Sequence, residues 1–68
     1  MSTTSTYTVT GMTCGHCVAS VREEIEALPG VTDVEVTLDD GSVRVAADRE
    51  LGRSEVEAAV TEAGYALA

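Results

Sequence analysis

The sequence predicts a single α+β domain with the element order βαββαβ. Along the chain, the spacing of apolar residues switches between the period of two typical of strands and the spacing of three and four typical of helices. Most of the switches fall at glycine or proline, which end regular elements. The length of 68 residues suits one small hydrophobic core and leaves no room for a second.

A strand and a helix account for the first half of the chain. Tyr7 and Val9 alternate with threonines over Thr6–Thr10, which predicts a half-buried strand. The next apolar residues are three and four apart and predict one face of a helix that begins near Cys17; they are Val18, Val21, Ile25 and Leu28. Pro29 and Gly30 end this helix.

A hairpin follows. Val34, Val36 and Leu38 have the period of a strand, with Val31 before them, and so do the three apolar residues of Val43–Ala47. Asp39–Gly41 between them carries an Asp-Gly pair, which is a strong turn signal.

The last two elements are a helix and a short strand. Ser54 followed by Glu57 matches a capping box, with Ser54 as the N-cap residue, and the apolar residues of Val56–Ala63 form the helical stripe. Gly64 ends the helix, and Tyr65–Leu67 is a closing strand. With right-handed crossovers, the six elements form a ferredoxin-like sandwich, a four-stranded antiparallel sheet with both helices on one face.

Charge and composition exclude several classes of partner. The net charge is −8, the only cations are four arginines, and there is no lysine. Such a surface repels nucleic acid and anionic lipid and attracts a partner with a basic patch. The two tyrosines, without Trp or Phe, form no stacking platform for single-stranded nucleic acid.

The beginning of the chain predicts a cytoplasmic protein. Residues 1–4 are predicted to be a flexible polar leader of the single domain spanning residues 1–68, without the charge and apolar run of a secretory signal. No stretch is long and apolar enough to span a bilayer. In the cytoplasm thiols stay reduced, so a structural disulfide is not expected.

The chemistry of the chain is concentrated in Cys14-Gly15-His16-Cys17, which contains both cysteines and the only histidine. Two thiols at this spacing before a helix suit either the binding of a soft metal ion or disulfide exchange, and the helix N-terminus favours the thiolate form. Cu(I) is satisfied by two sulfurs, whereas Zn(II) requires four ligands. Two thiolates leave the ion open to attack by the thiols of another protein, which favours transfer over storage.

The loop Gly11-Met12-Thr13-Cys14-Gly15-His16-Cys17 resembles the metal-binding loop of heavy-metal-associated domains. The resemblance continues through Leu28–Val31 and Glu62–Tyr65. As a separate chain, the protein is similar to bacterial copper chaperones that supply copper-exporting P-type ATPases.

The resemblance implies a role for each residue of the loop. Cys14 and Cys17 are the implied Cu(I) ligands, and Met12 is the implied buried methionine that shapes the loop without binding metal. Tyr65 matches an aromatic position beside the loop, where it either packs in the core or tunes the thiolates. Thr13 and Gly15 are further candidates for contacts around the ion.

His16 has two interpretations. It is either an exposed residue without a role, or a third ligand that binds this chain's copper or that of a second protomer in a copper-bridged homodimer. Any such role would depend on pH near neutrality.

The function expected from these observations is that of a Cu(I) metallochaperone without enzymatic activity. It would dock on the metal-binding domain of a copper-transporting P-type ATPase through the loop, the first helix, Glu23 and Glu26, and pass copper on by thiolate exchange. The alternatives are a metal-binding domain of the ATPase itself and the handling of mercury or zinc. A dithiol redox protein is a further alternative, although the chain is shorter than a thioredoxin-like fold and has no Trp before the cysteine pair.

Overall fold

Six elements form one antiparallel sheet covered by two helices. The computed structural model describes residues 2–13 and 15–68. The strands are β1 (Thr3–Thr10), β2 (Val31–Thr37), β3 (Ser42–Ala47) and β4 (Ala66–Leu67), and the helices are α1 (Gly15–Glu26) and α2 (Arg53–Glu62). The strand order in the sheet is β2-β3-β1-β4, with every neighbouring pair antiparallel. The predicted ferredoxin-like βαββαβ sandwich is therefore confirmed.

The core lies between the sheet and the two helices. The most deeply buried side chains are branched aliphatics of both layers: Val9, Val34, Val43 and Val45 of the sheet, and Val21, Ile25, Val56 and Val60 of the helices. Complete burial of one such side chain contributes about 1.5–3 kcal/mol to folding. The alternation along the strands and the helical spacing thus converge on one core.

The inward face of α1 differs from the prediction by one position. Cys17, Val21 and Ile25 are its buried residues, four apart from one another, whereas Val18 is only half-buried. Because residues at i and i+4 lie on the same face of a helix, Cys17 takes the inward position assigned to Val18. A cysteine behaves as a small apolar residue in such a position.

Two elements begin earlier than predicted. β1 begins at Thr3, and its first residues Thr3 and Thr4 pair with Ala47 and Ala46 of β3. The predicted flexible leader of residues 1–4 therefore overlaps the strand, because threonine favours a strand and β3 is long enough to pair with it. Helix α1 begins at Gly15 and not near Cys17.

The predicted N-cap of α2 is wrong. The N-cap residue is Gly52, whose N–H donates to Oε2 of Glu55 at 2.9 Å, while Ser54 lies inside the first turn. Glycine has no side chain to complete a capping box, so only the glutamate half is formed. The sequence pattern also missed Leu51, which precedes the cap and is buried in the core although it lies in no periodic segment.

Arg49 holds together the segments at the start of α2. Its Nη2 donates to Oε1 of Glu55 at 2.8 Å, and its Nε donates to the carbonyl oxygen of Pro29 at 2.8 Å. Gly30 beside it has φ +85°, and a Cβ there would lie 2.6 Å from Oδ1 of Asp48. By holding Glu55, which also accepts from the N–H of Gly52, Arg49 favours Gly52 as the N-cap residue of α2. The sequence pattern had placed the N-cap two residues later, at Ser54.

The ion pair makes stability sensitive to acid. The hydrogen bonds that Glu55 accepts from Arg49 and from the N–H of Gly52 lower its pKa from 4.5 to about 2. Because the pKa is lower in the folded protein, the ionised carboxylate stabilises the fold fully above pH 4.5, and this contribution is lost as the pH falls toward about 2.

We therefore expect Glu55→Gln to flatten the dependence of the unfolding free energy on pH between about 4.5 and 2. Urea unfolding followed by circular dichroism at several pH values measures this. Glu57→Gln is the matched control, since Glu57 is exposed on the same helix and has no salt bridge within residues 2–13 and 15–68. Equal pH profiles for the two variants would contradict the prediction.

Candidate metal-binding site

The candidate site lies where β1 gives way to α1. Gly11 follows the last residue of β1 with φ +92°, a conformation that other residues rarely adopt. A Cβ at this position would lie 3.4 Å from Cδ1 of Tyr65. The aromatic ring of Tyr65 therefore lies against the loop at Gly11, beside which the sequence had placed it.

The position of Tyr65 follows from the end of α2. Gly64 has φ +92° just beyond the helix, and the N–H of Tyr65 donates to the carbonyl oxygen of Val60 at 3.0 Å. The ring is half-buried and packs on the core. The two interpretations of Tyr65, core packing and a place beside the loop, are thus compatible. An effect of its hydroxyl on the thiolates stays a prediction.

Cys17 is the predicted ligand that the structure describes. It is the third residue of α1, and 9% of its surface is exposed. Its Sγ lies 3.9 Å from Oγ1 of Thr13, at the limit of a hydrogen bond involving sulfur. The first N–H groups of a helix have no partner within the helix and favour negative charge nearby. The thiol of Cys17 thus lies in the first turn of α1, beside the hydroxyl of Thr13.

The remaining site residues differ in their surroundings. Cys14 lies outside the described residues, so its role as a ligand stays a prediction. Met12 is half-buried and packs against the core, as the resemblance implied. Gly15 and His16 are exposed in the first turn of α1, and a Cβ at Gly15 would contact nothing within 4 Å.

Carboxylates do not gather around the described part of the site. Among residues 2–13 and 15–68, no group of three His, Cys, Asp or Glu side chains is placed to hold a metal ion. Over the same residues, no helix has the length and hydropathy needed to cross a bilayer. The described donor atoms that lie close together at the loop are the sulfur of Cys17 and the hydroxyl oxygen of Thr13.

The contact that sequence reasoning missed is the one between Gly11 and Tyr65. In the sequence, Gly11 is the first residue of the loop motif, with no partner assigned to it, whereas its positive φ and the ring against it give it a defined role in shaping the loop. The available signal was the position of Gly64 and Tyr65 after the last helical stripe, since β4 returns the chain to the end of β1.

Two curated relatives match most of this chain. A copper chaperone CopZ of Staphylococcus aureus (strain bovine RF122 / ET3-1) is 38% identical over 58 residues, which cover 84% of this chain and 85% of the chaperone. A mercuric reductase of Acidithiobacillus ferrooxidans is 37% identical over 59 residues, which cover 87% of this chain. Those residues make up only 11% of the reductase.

Solved structures agree with the fold over its whole length. A CopZ metallochaperone has a TM-score of 0.90 at 31% identity, covering 97% of this chain and all of that one. The N-terminal domain of ZntA in its apo form has a TM-score of 0.90 at 34% identity and covers 100% of this chain and 92% of that one. A copper-binding domain from HMA7, a P-type ATPase, has a TM-score of 0.86 at 26% identity over 96% of this chain and 89% of that one.

The sequence profile of the heavy-metal-associated domain matches residues 6–66, which include every described element except the first residues of β1 and the end of β4. The match spans the loop, the helix start with its buried thiol, and the residues that bring Tyr65 to the loop. This chain therefore belongs to the heavy-metal-associated domain family.

Proposed function

We propose that this protein is a cytosolic Cu(I) metallochaperone. It binds Cu(I) between Cys14 and Cys17 and passes it to the metal-binding domain of a copper-transporting P-type ATPase. The observation that carries the proposal is the thiol of Cys17, held in the core face of α1 at the end of a loop of this family. The similarity to CopZ copper chaperones over most of both chains supports it.

The choice of Cu(I) rests on the chemistry of the donors. Soft thiolates select Cu(I), which accepts two sulfurs, while Zn(II) prefers four ligands. Cu(I) is the cargo of the protein, and no catalytic step is assigned to it.

Transfer proceeds by exchange of thiolates. A thiol of the partner loses its proton to water and forms a new Cu–S bond, while one Cu–S bond of this chain breaks and its sulfur takes up a proton. The copper remains Cu(I) throughout, so no oxidant or reductant is needed. Every step keeps at least two sulfurs on the ion.

Docking would use the loop and the first helix. Glu23 is exposed on α1, and Glu26 forms only an exposed i,i+4 pair with Arg22, at 3.3 Å. Such surface pairs contribute little, typically less than about 1 kcal/mol, so Glu26 can exchange Arg22 for a cation of the partner. The net charge of −8 attracts a basic domain to this chain, and Glu23 and Glu26 are the acidic residues of α1 that would meet it.

Mercury handling is the second candidate, because the matched mercuric reductase is as similar as the copper chaperones over the compared residues. Both functions use the same two thiols. A competition between Cu(I) and Hg(II) does not distinguish copper transfer from mercury handling, since Hg(II) binds thiolates tightly in any such site. The identity of the protein that accepts the ion distinguishes the two functions.

The first prediction concerns the metal. In an anaerobic titration against a chromogenic Cu(I) chelator, the reduced protein should capture one Cu(I) tightly and greatly prefer it to Zn(II). The double substitution Cys14→Ser/Cys17→Ser should abolish capture, because both soft donors are lost. Ser20→Ala, on the exposed side of α1, is the control that should bind normally. Weak capture by fully reduced wild-type protein would refute the proposal.

The second prediction separates the two interpretations of Tyr65. Tyr65→Phe keeps the ring against Gly11 and should leave the unfolding free energy within about 0.5 kcal/mol of wild type. If its hydroxyl tunes the thiolates, Cu(I) affinity should fall roughly tenfold, as for other residues that contact metal ligands. Tyr65→Ala is the packing control and should cost about 2 kcal/mol, less than a fully buried ring. Unchanged affinity in Tyr65→Phe would assign the residue to packing alone.

The third prediction concerns His16 and the proposed copper-bridged dimer. Because its side chain is exposed in the first turn of α1, His16→Ala should leave both Cu(I) affinity and the oligomeric state of the copper-loaded protein unchanged between pH 6 and pH 8. Chelator competition and analytical ultracentrifugation measure the two quantities. A loss of affinity in the monomer would identify a third ligand, and a loss of the dimer alone would identify a ligand to the second protomer's ion.

A further inference from the structure

A groove runs between α1 and α2 on the side of the helices that faces away from the sheet. Its volume is about 410 Å³. Its floor is apolar and shallow because it is formed largely by alanines, with Ala59 buried, Ala58 exposed and Leu28 half-buried. Alanine has no atoms beyond Cβ, so the two helices leave space between them that a larger side chain from outside can fill.

The rim of the groove is acidic. Glu24 and Glu62 line it from the two helices, and neither has a salt bridge or side-chain hydrogen bond within residues 2–13 and 15–68. Glu55 lines one end and is already paired with Arg49. Two carboxylates at the edge of an apolar floor therefore remain available to a cation.

The charges of the chain decide what can occupy the groove. Anionic lipid and nucleic acid are repelled by the acidic rim and by the net charge of −8. A second copy carries the same net charge of −8 and is repelled in the same way, and each of its four arginines already donates within its own chain. Their acceptors are Glu26 for Arg22, Glu35 for Arg44, Glu55 for Arg49 and the carbonyl oxygen of Ala68 for Arg53.

We propose that this groove is a docking surface for a segment of another protein that presents bulky aliphatic side chains flanked by Arg or Lys. The aliphatic side chains would fill the space above Ala58 and Ala59, and the cations would pair with Glu24 and Glu62. This is a different surface from the loop and the exposed side of α1 described above.

The distance between the groove and the metal loop decides whether both can be used at the same time. On α1, Glu24 lies about 14 Å along the helix axis from Gly15, at 1.5 Å per residue. On α2, Glu62 is three residues before Tyr65, whose ring lies at Gly11. A partner seated toward Glu24 and Leu28 therefore leaves the metal loop uncovered. The same chain can therefore be held by one protein segment while its thiols exchange metal with another domain.

The test uses a short synthetic helical peptide with leucines on one face and arginines on both sides of them, labelled with a fluorophore. Fluorescence anisotropy with the reduced, metal-free protein should show binding that weakens with salt. Glu24→Gln/Glu62→Gln should weaken binding roughly tenfold, and Ala58→Arg, which fills the groove and places a cation beside its carboxylates, should abolish it. Circular dichroism confirms that the variants, all at exposed or half-buried positions, remain folded.

The matched control is Asp33→Asn/Asp39→Asn, which removes the same charge from exposed positions of β2 and the hairpin turn, outside the groove. It should change the peptide affinity by less than about twofold, as expected for distant screened charges. Equal weakening by the two double variants would reduce the effect to net charge and overturn the proposal. A peptide with alanines in place of the leucines should bind weakly, and undiminished binding would also overturn it.

Two further measurements locate the occupant. Amide chemical shifts should change at residues 24–28 and 55–62; changes centred on residues 11–17 would place the peptide on the metal loop and refute the groove. Ultracentrifugation of the protein alone should show a monomer. Self-association that is removed by Ala58→Arg would instead identify a second copy as the occupant and overturn the proposal. The chelator titration should give wild-type Cu(I) affinity in both groove variants, so the two proposals fail independently.

Discussion

The packing of α1 on the sheet is the constraint on which the rest of the structure depends. Val21 and Ile25 have no exposed surface, so the rotation of the helix about its own axis is fixed. Cys17 lies on the same face, one turn earlier, and its sulfur is positioned by the core. A thiol fixed in this way needs little rearrangement to bind an ion, which lowers the entropic cost of binding.

The loop is held from several sides by contacts between distant parts of the sequence. β1 ends in the core at Val9, whose N–H donates to the carbonyl oxygen of Gly41 in the hairpin at 2.8 Å. β4 pairs with Val9 and Thr10, and the ring of Tyr65 follows against Gly11. The hairpin, the last strand and the core thus fix the point at which the loop begins.

The periodicity of apolar residues predicted most of the fold, because the residues that are buried recur at the spacing of the strand or helix they belong to. It failed where a contact from elsewhere decided the outcome. The choice of Gly52 as the cap depends on Arg49 pairing with Glu55, which no local pattern encodes. Leu51 is buried although it lies in a loop, and Cys17 takes the inward position assigned to Val18 because it lies one turn before Val21 on the same face of α1. The candidate site residues were predicted from their motif, whereas the contact of Tyr65 with Gly11 required the closed sheet.

The contact between Gly11 and Tyr65 also has a consequence for the order of events during synthesis. The two residues lie near opposite ends of the sequence, and the chain emerges from the ribosome with its N-terminus first. The cysteines are therefore exposed to the cell well before the ring that packs against their loop has been made. Contacts of such wide separation in sequence form late and slow folding. A nascent chain thus presents its thiols before the ring of Tyr65 can pack at Gly11, which happens only when β4 closes the sheet against β1.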